Sequence, residues 1–420
     1  MTGQTLIQKI LAVAGRRKEE GVAENEIVFV SPHMVLSHDN SAAISKTFYQ
    51  ITGPDGKVWD PERIFIDLDH AVPPPDYKKA ENHKVIREFV KKQGIRHFYD
   101  CGTGICHQVL PEEGLVPPNV IILGSDSHST THGAFGAAGI PIGRTETASV
   151  WAIGETWLKV PETIKIVFDN YLPSGVYAKD VILDIIGKIS ADGATYKSIE
   201  FYGKAVSKMS ISDRMTISNM TAEAGAKAGI FPVDNVTENW NKPFNFTYEK
   251  IEADQDADYE QEITFDLANL TPRVAKPHKV DNVVPIEDLP KTTIDVALLG
   301  TCTNGRIEDL RIAAKILEDK KINRNVRLLI YPASRNILNL AIKEGIMEIL
   351  IEAEGQIGVP ACGPCLGEYG GTLAPGETAI STANRNFRGR MGTRDAEIYL
   401  ANPEVVAKSA IAGYITNEEV

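Results

Sequence analysis

The chain has 420 residues, of which 43% are hydrophobic and 24% charged, and 44 Lys and Arg against 56 Asp and Glu leave a net charge of −12. Apolar residues recur throughout, which excludes a disordered chain, and the longest apolar runs (119–124 and 294–300) fall far short of the roughly 20 residues of a membrane helix. The acidic balance, without a basic tail or stripe, speaks against nucleic acid as a partner, and five cysteines are too few for a disulfide framework.

A chain of this length divides into about two to four domains. Residues 1–15 hold no arginine-rich leader, and the apolar stretch 10–14 is too short for a signal-peptide core, so a cytoplasmic location is expected. Strand and helix then alternate. Residues 64–68 read as a strand ending in Asp69-His70. A helix over 77–93 turns Val85, Ile86, Phe89 and Val90 to one face. Strands follow at 97–99 and 119–123, the second running into Gly124-Ser125-Asp126-Ser127-His128. Two strand ends thus each deliver an acid and a histidine, where open α/β sheets bind ligands.

A second unit spans 161–275, with strands at 163–168 and 197–202, helices at 178–189 and 212–228, and an acidic surface loop at 254–262. The proline- and charge-rich stretch 276–292 reads as a linker. The last unit, 293–420, has strands at 293–299, 326–331 and 378–383 and helices at 306–319 and 335–353. The expected architecture is α/β, with domains at 1–160, 161–275 and 293–420 and right-handed parallel crossovers.

The strongest chemical signal is Cys362-Gly363-Pro364-Cys365 together with Cys302, which stands just past a strand in a Gly- and Asn-rich turn. Three thiolates suit either a zinc site completed by a histidine or an iron–sulfur cluster in which one iron lacks a protein ligand. A redox dithiol and buried structural cysteines are the alternatives. Asp69-His70 and Asp126-His128, with His107, supply a general acid and base oriented by carboxylates, or else turn caps beside surface histidines. Asn384, Arg385, Arg388 and Arg390 follow a strand and suit bidentate capture of carboxylates, or form a solvated basic loop. Asn219 and Glu223, four apart on the predicted helix, share a face. Gly133, Gly136 and Gly139 match neither the dinucleotide nor the Walker spacing and fit tight packing better.

These segments together resemble the aconitase superfamily, and within it the large subunits of the split dehydratases that serve isopropylmalate and homoaconitate. The resemblance is carried by Asp67–His70, the 104–112 and 124–133 segments, Asn219–Glu223, the 300–305 and 361–367 segments, and 384–399, in the family's order and over nearly the whole chain. It implies three α/β domains around a central cluster site, without the swivelling fourth domain. Cys302, Cys362 and Cys365 then match the ligands of one four-iron, four-sulfur (4Fe-4S) cluster per chain, with one open iron. The implied reaction removes water from a 2-hydroxy di- or tricarboxylic acid and adds it back at the neighbouring carbon.

By the same resemblance His70, beside Asp69, matches the proton-donating histidine. His107, Asp126 and His128 match residues that hold the hydroxyl and the bound water, and Glu223 matches the carboxylate paired with His128. Ser127, Arg385 and Arg390 match substrate contacts, Asn384 a cluster contact, and Asn219 a further substrate-side polar group. At an early substrate contact this chain has His38, followed by Asp39, where aconitase itself has glutamine; histidine fits the isopropylmalate and homoaconitate branch. Aconitases place the base for the carbon-bound proton on the fourth domain, so a separate small subunit carrying that domain is expected, in a heterodimer or heterotetramer. The expected substrate is 2-isopropylmalate, with homoaconitate next and citramalate, citraconate or dimethylmalate after it. An RNA-binding regulator and a zinc hydrolase are readings of other classes; the −12 charge opposes the first, and a brown, iron-loaded chain would exclude the second.

Overall fold

Short apolar runs closed by turn residues become parallel strands, because each is followed by a helix that carries the chain back across the sheet. The computed structural model describes residues 3–367 and 369–420. β1 (Ile27–Val30) and β7 (Thr156–Lys159) pair antiparallel in a ribbon. Between them come β2 (Met34–Ser37), β3 (Ile64–Asp67), β4 (His97–Tyr99), β5 (Ile121–Gly124) and β6 (Ala138–Pro141). These form an all-parallel sheet in the order β4-β3-β2-β5-β6. Every residue of β2, β3 and β5 is buried, as both faces of a helix-covered sheet should be. The order reverses between β2 and β5, and the carboxyl ends of β2, β3 and β5 carry His38, Asp69-His70 and Asp126-His128.

The second sheet contains β8 (Thr163–Asp169), β9 (Ser198–Tyr202), β10 (Ala228–Ile230) and β11 (Gln261–Asp266), parallel throughout in the order β10-β9-β8-β11. The third contains β12 (Arg273–Ala275), β13 (Val283–Pro285), β14 (Val296–Gly300), β15 (Arg327–Tyr331), β16 (Gln356–Ile357), β17 (Thr378–Ser381) and β18 (Glu397–Leu400). Its order is β13-β12-β18-β17-β14-β15-β16, parallel from β18 to β16, with β12 antiparallel to both β13 and β18. Here the reversal falls between β14 and β17, so Cys302 and Asn384-Arg385 leave adjacent strand ends. One hydrophobic core joins the second and third sheets, from Ile164 and Phe201 to Val296 and Leu298.

Four differences from the expected elements have physical causes. The stretch 276–292 is not a bare linker: β13 within it pairs with β12 and extends the third sheet. The helix expected over 212–228 ends at Met220, because the chain tightens into a 3-10 turn at Thr221–Ala224, is capped by left-handed Gly225 (φ 83°), and re-enters a sheet as β10. Asn219 and Glu223 therefore do not share a helix face. The helix expected over 335–353 is two, Arg335–Lys343 and Ile346–Glu352, divided at Gly345 with φ 74°. The predicted strand at 119–123 starts later, at Ile121. The glycines of 133–139 pack tightly, as expected: a Cβ on Gly133 would stand 1.8 Å from the Gly229 carbonyl oxygen.

Candidate active site

The first and third sheets turn their carboxyl ends to one cavity of about 170 Å³. Twelve of the sixteen residues singled out in the sequence line it: His38, His70, His107, Asp126, Ser127, His128, Cys302, Cys362, Cys365, Asn384, Arg385 and Arg390, while Arg388 is exposed and does not. Asp69, Asn219 and Glu223 stand one hydrogen bond behind them.

His70 sits between two carboxylates. Its Nδ1 is 2.6 Å from Asp69 Oδ1 and its Nε2 is 3.5 Å from Asp126 Oδ2. Burial pulls its pKa down, but the Asp69 charge and the Asp126 contact outweigh burial and hold it well above the ordinary histidine value. His38 stacks on it with ring centroids 3.9 Å apart and is pushed down to about 4 by burial and by the His70 charge. A cationic ring thus lies against a neutral one.

Asp126 collects donors. Oδ1 pairs with His107 Nε2 at 2.7 Å and accepts the His128 backbone N–H at 2.7 Å. Burial alone would raise its pKa, yet the bonds from His107, His128 and His70 hold it well below the usual carboxylate range. His128 Nε2 is 2.8 Å from Glu223 Oε1, which also accepts from Arg385 Nε at 2.7 Å. Glu223 is lowered likewise: burial opposes, and His128 and Arg385 prevail. Ser127 Oγ lies 3.4 Å from His128 Nδ1.

Around the cysteines the polar groups are donors with one exception, Asn384 Oδ1, which accepts from Cys365 Sγ at 3.7 Å. Asn219 Nδ2 and Asn384 Nδ2 approach Cys302 Sγ at 3.2 and 3.3 Å, and Arg390 Nη2 approaches Cys365 Sγ at 3.5 Å. Asn384 Nδ2 also donates to Asn219 Oδ1 at 3.1 Å. Asn219, expected at the substrate, is fully buried and faces the Cys302 sulfur instead. N–H donors aimed at sulfur favour thiolate or sulfide ligands, so the set fits an iron–sulfur group. Among the described residues a second group with metal-type donors is His38, Asp39, Asp69 and His70; Asp39, Asp69 and His70 are already hydrogen-bonded, and His38 Nδ1 is buried without a partner. Metal binding must displace protons here, since burial pushes the Cys302 thiol up to about 12.

Two residues of this network, His83 and Lys179, escape sequence reasoning, and a third, Asp39, stands in it only as the residue after His38. Asp39 Oδ2 accepts the N–H of Asp69 and of His70 at 3.0 and 2.8 Å, and Oδ1 accepts that of Ala71 at 3.1 Å and pairs with His83 Nε2 at 2.7 Å. Asp39 and His83 together hold the loop that presents His70. Asp39 carries the same signal as Asp69, an acid beside a histidine at a strand end; His83 carries none, being one more polar residue in a charged helix. Lys179 is fully buried in the helix Ala178–Ile189, and its Nζ donates to the carbonyls of Thr382 and Ala383 at 2.5 and 2.8 Å, fixing the turn before Asn384. The Asp69 carbonyl in turn accepts the Cys362 N–H at 2.9 Å, tying the histidine loop to the cysteine turn.

A family model described as the aconitase family (aconitate hydratase) matches residues 8–292 and 288–413. The chain is 47% identical to 3-isopropylmalate dehydratase large subunit 1 of Methanopyrus kandleri, over 99% of each chain. It is 45% identical to the 3-isopropylmalate dehydratase large subunit of Clostridium kluyveri, again over 99% of each. To the homoaconitase large subunit of Thermus thermophilus it is 45% identical, over 99% of this chain and 98% of that one.

Proposed function

Because the chain belongs to the aconitase family, we propose that it is the large subunit of a hydro-lyase, 3-isopropylmalate dehydratase, which interconverts 2-isopropylmalate and 3-isopropylmalate in leucine biosynthesis. The carrying observation is the shared cavity: three cysteines, four histidines, Asp126 and two arginines on one wall system. Cys302, Cys362 and Cys365 would hold an iron–sulfur cluster of the 4Fe-4S type. When bound, it supplies a Lewis acid for the hydroxyl and a carboxylate of the substrate.

The chain's own residues do the rest. Arg385 and Arg390 bind substrate carboxylate, with Arg385 pre-aimed by Glu223. His70 holds a proton at Nε2 and gives it to the departing hydroxyl oxygen, so that water leaves. Asp69 keeps that ring charged and turned, and Asp126 with His107 fixes the opposite side of the leaving group. In the reverse sense the same ring takes a proton back from water, so one constellation serves both dehydration and rehydration. The base for the carbon-bound proton comes from the swivelling domain of a separate small subunit, which the names of the relatives as large subunits support. The enzyme works in the cytoplasm; no helix among the described residues is long and apolar enough to cross a membrane.

Homoaconitase is the second reading, favoured by relatives so named at 45% identity. Anaerobic reconstitution tests the cluster shared by both readings. The account expects about four irons per chain and a broad visible absorbance, both lost in Cys302→Ser. One zinc per chain and no colour would overturn it.

A further inference from the structure

Beside the cluster cavity lies a second one of about 310 Å³, and the two share His38, His70 and Leu366. Its outer wall carries Lys46, Lys79 and Arg144. The first turn of the helix Ser41–Thr52 lies along it at Ala42 and Ala43, and Arg144 is the first residue of the helix Arg144–Ile153. The positive end of the first of these helices therefore adds to the exposed cations Lys46 and Arg144. The one carboxylate on this wall, Asp39, is saturated by its four N–H donors. Glu146, in the first turn of the second helix, closes on the Gly143 N–H at 2.6 Å. Lys46 and Arg144 are exposed, and among the described residues neither bonds a carboxylate. On a chain of net charge −12, two exposed cations without a carboxylate partner thus stand at the mouth of the site.

We propose that this annex is an anion-binding subsite that receives a carboxylate of a di- or tricarboxylate ligand before it passes His38 into the cluster cavity. The identity of that ligand as substrate rests on the function proposed above; the anion site itself rests on the cavity and its charges. A concave wall whose outward-facing charges are positive concentrates anions, with gains of roughly 10- to 1000-fold in association where one sign dominates. The groups are exposed, so the gain is screened within a Debye length of about 8 Å at physiological salt.

The variant Lys46→Gln with Arg144→Gln is compared with the unaltered chain and with a charge-matched control, Lys315→Gln with Lys343→Gln, on helices of the third sheet. Tricarballylate, a tricarboxylate with no hydroxyl to lose, is titrated into each by calorimetry. The annex variant should bind about tenfold more weakly at low salt, the control normally, and the gap should narrow at about 0.15 M salt. Equal affinity in all three, or no binding to the unaltered chain, overturns the proposal. In the enzyme assembled with its small subunit, kcat/KM should fall by the same factor while kcat holds. If the only defect is weaker assembly, cured by excess small subunit, the annex belongs to an acidic segment of that partner and the proposal fails. Because the titration needs no turnover, an unaltered chain that binds tricarballylate in the annex yet converts no hydroxy acid refutes the proposed function and supports the subsite.

Discussion

Asp69→Asn keeps the shape of a fully buried side chain and removes its charge. The carboxylate makes the 2.6 Å contact to His70 Nδ1 and accepts the Cys106 N–H at 2.8 Å; an amide oxygen can still accept one of these. What it cannot do is oppose burial. His38, stacked on His70 in the same cavity, shows the direction: burial together with the His70 charge pushes it down to about 4. At pH 7 a group at that value is protonated in about one molecule in 1000. Asp126, 3.5 Å from His70 Nε2, still holds part of the charge, so the loss in kcat/KM falls between about 10- and 1000-fold, up to about 4 kcal/mol. The pH profile carries the sign. A raised His70 value keeps the acid form through neutrality, and activity falls only as pH rises past it. In Asp69→Asn that falling limb moves to lower pH, and acidification restores part of the rate. The assay is kcat/KM against pH in the assembled enzyme at matched iron content. A variant within about threefold of the unaltered enzyme at pH 7, with an unmoved limb, would show that His70 does not depend on Asp69 for its proton.

Two further outcomes are expected. Burial pushes Lys179 from 10.5 down to about 7, so between those values the unfolded chain holds a proton that the folded chain has released, and stability rises with pH; urea melts should show a gain of about 2 kcal/mol from pH 7 to 9 that is absent in Lys179→Met. Asn384→Ala removes a donor from Cys302 and leaves Asn219 Oδ1 without its partner at a cost of about 1–3 kcal/mol, so the reconstituted chain should lose its visible absorbance faster in air; an unchanged decay would deny the sulfur contact any role.

The chemistry was legible in the sequence wherever it stood at a strand end. Asp69-His70, Asp126-His128 and Cys302 each follow an apolar run that ends abruptly, and those runs are β3, β5 and β14. Local pattern failed where distant contacts decided. The alternating alanines of 222–228 favour a helix by propensity, but Gly229 must pack against Thr221, where a Cβ would stand 2.5 Å away, and the chain leaves the helix to pair as β10. The linker reading failed because β13 is stabilised by its pairing with β12, not by its own composition. Asp39 and His83 lie 44 positions apart and meet only once the helix Tyr77–Gln93 packs near the end of β2. A buried lysine such as Lys179 looks like any surface lysine until its carbonyl partners, some 200 residues on, are in place.

The central claim is that this cavity, loaded with its cluster and joined by a small subunit, moves water across a 2-hydroxy acid. The direct measurement is anaerobic turnover of a panel containing 2-isopropylmalate, homoaconitate, citramalate and dimethylmalate by the reconstituted chain with its matched small subunit. Conversion of 2-isopropylmalate to 3-isopropylmalate is expected above the others, and little or none from the large chain alone. An iron-loaded, assembled enzyme that converts no member of the panel would contradict it.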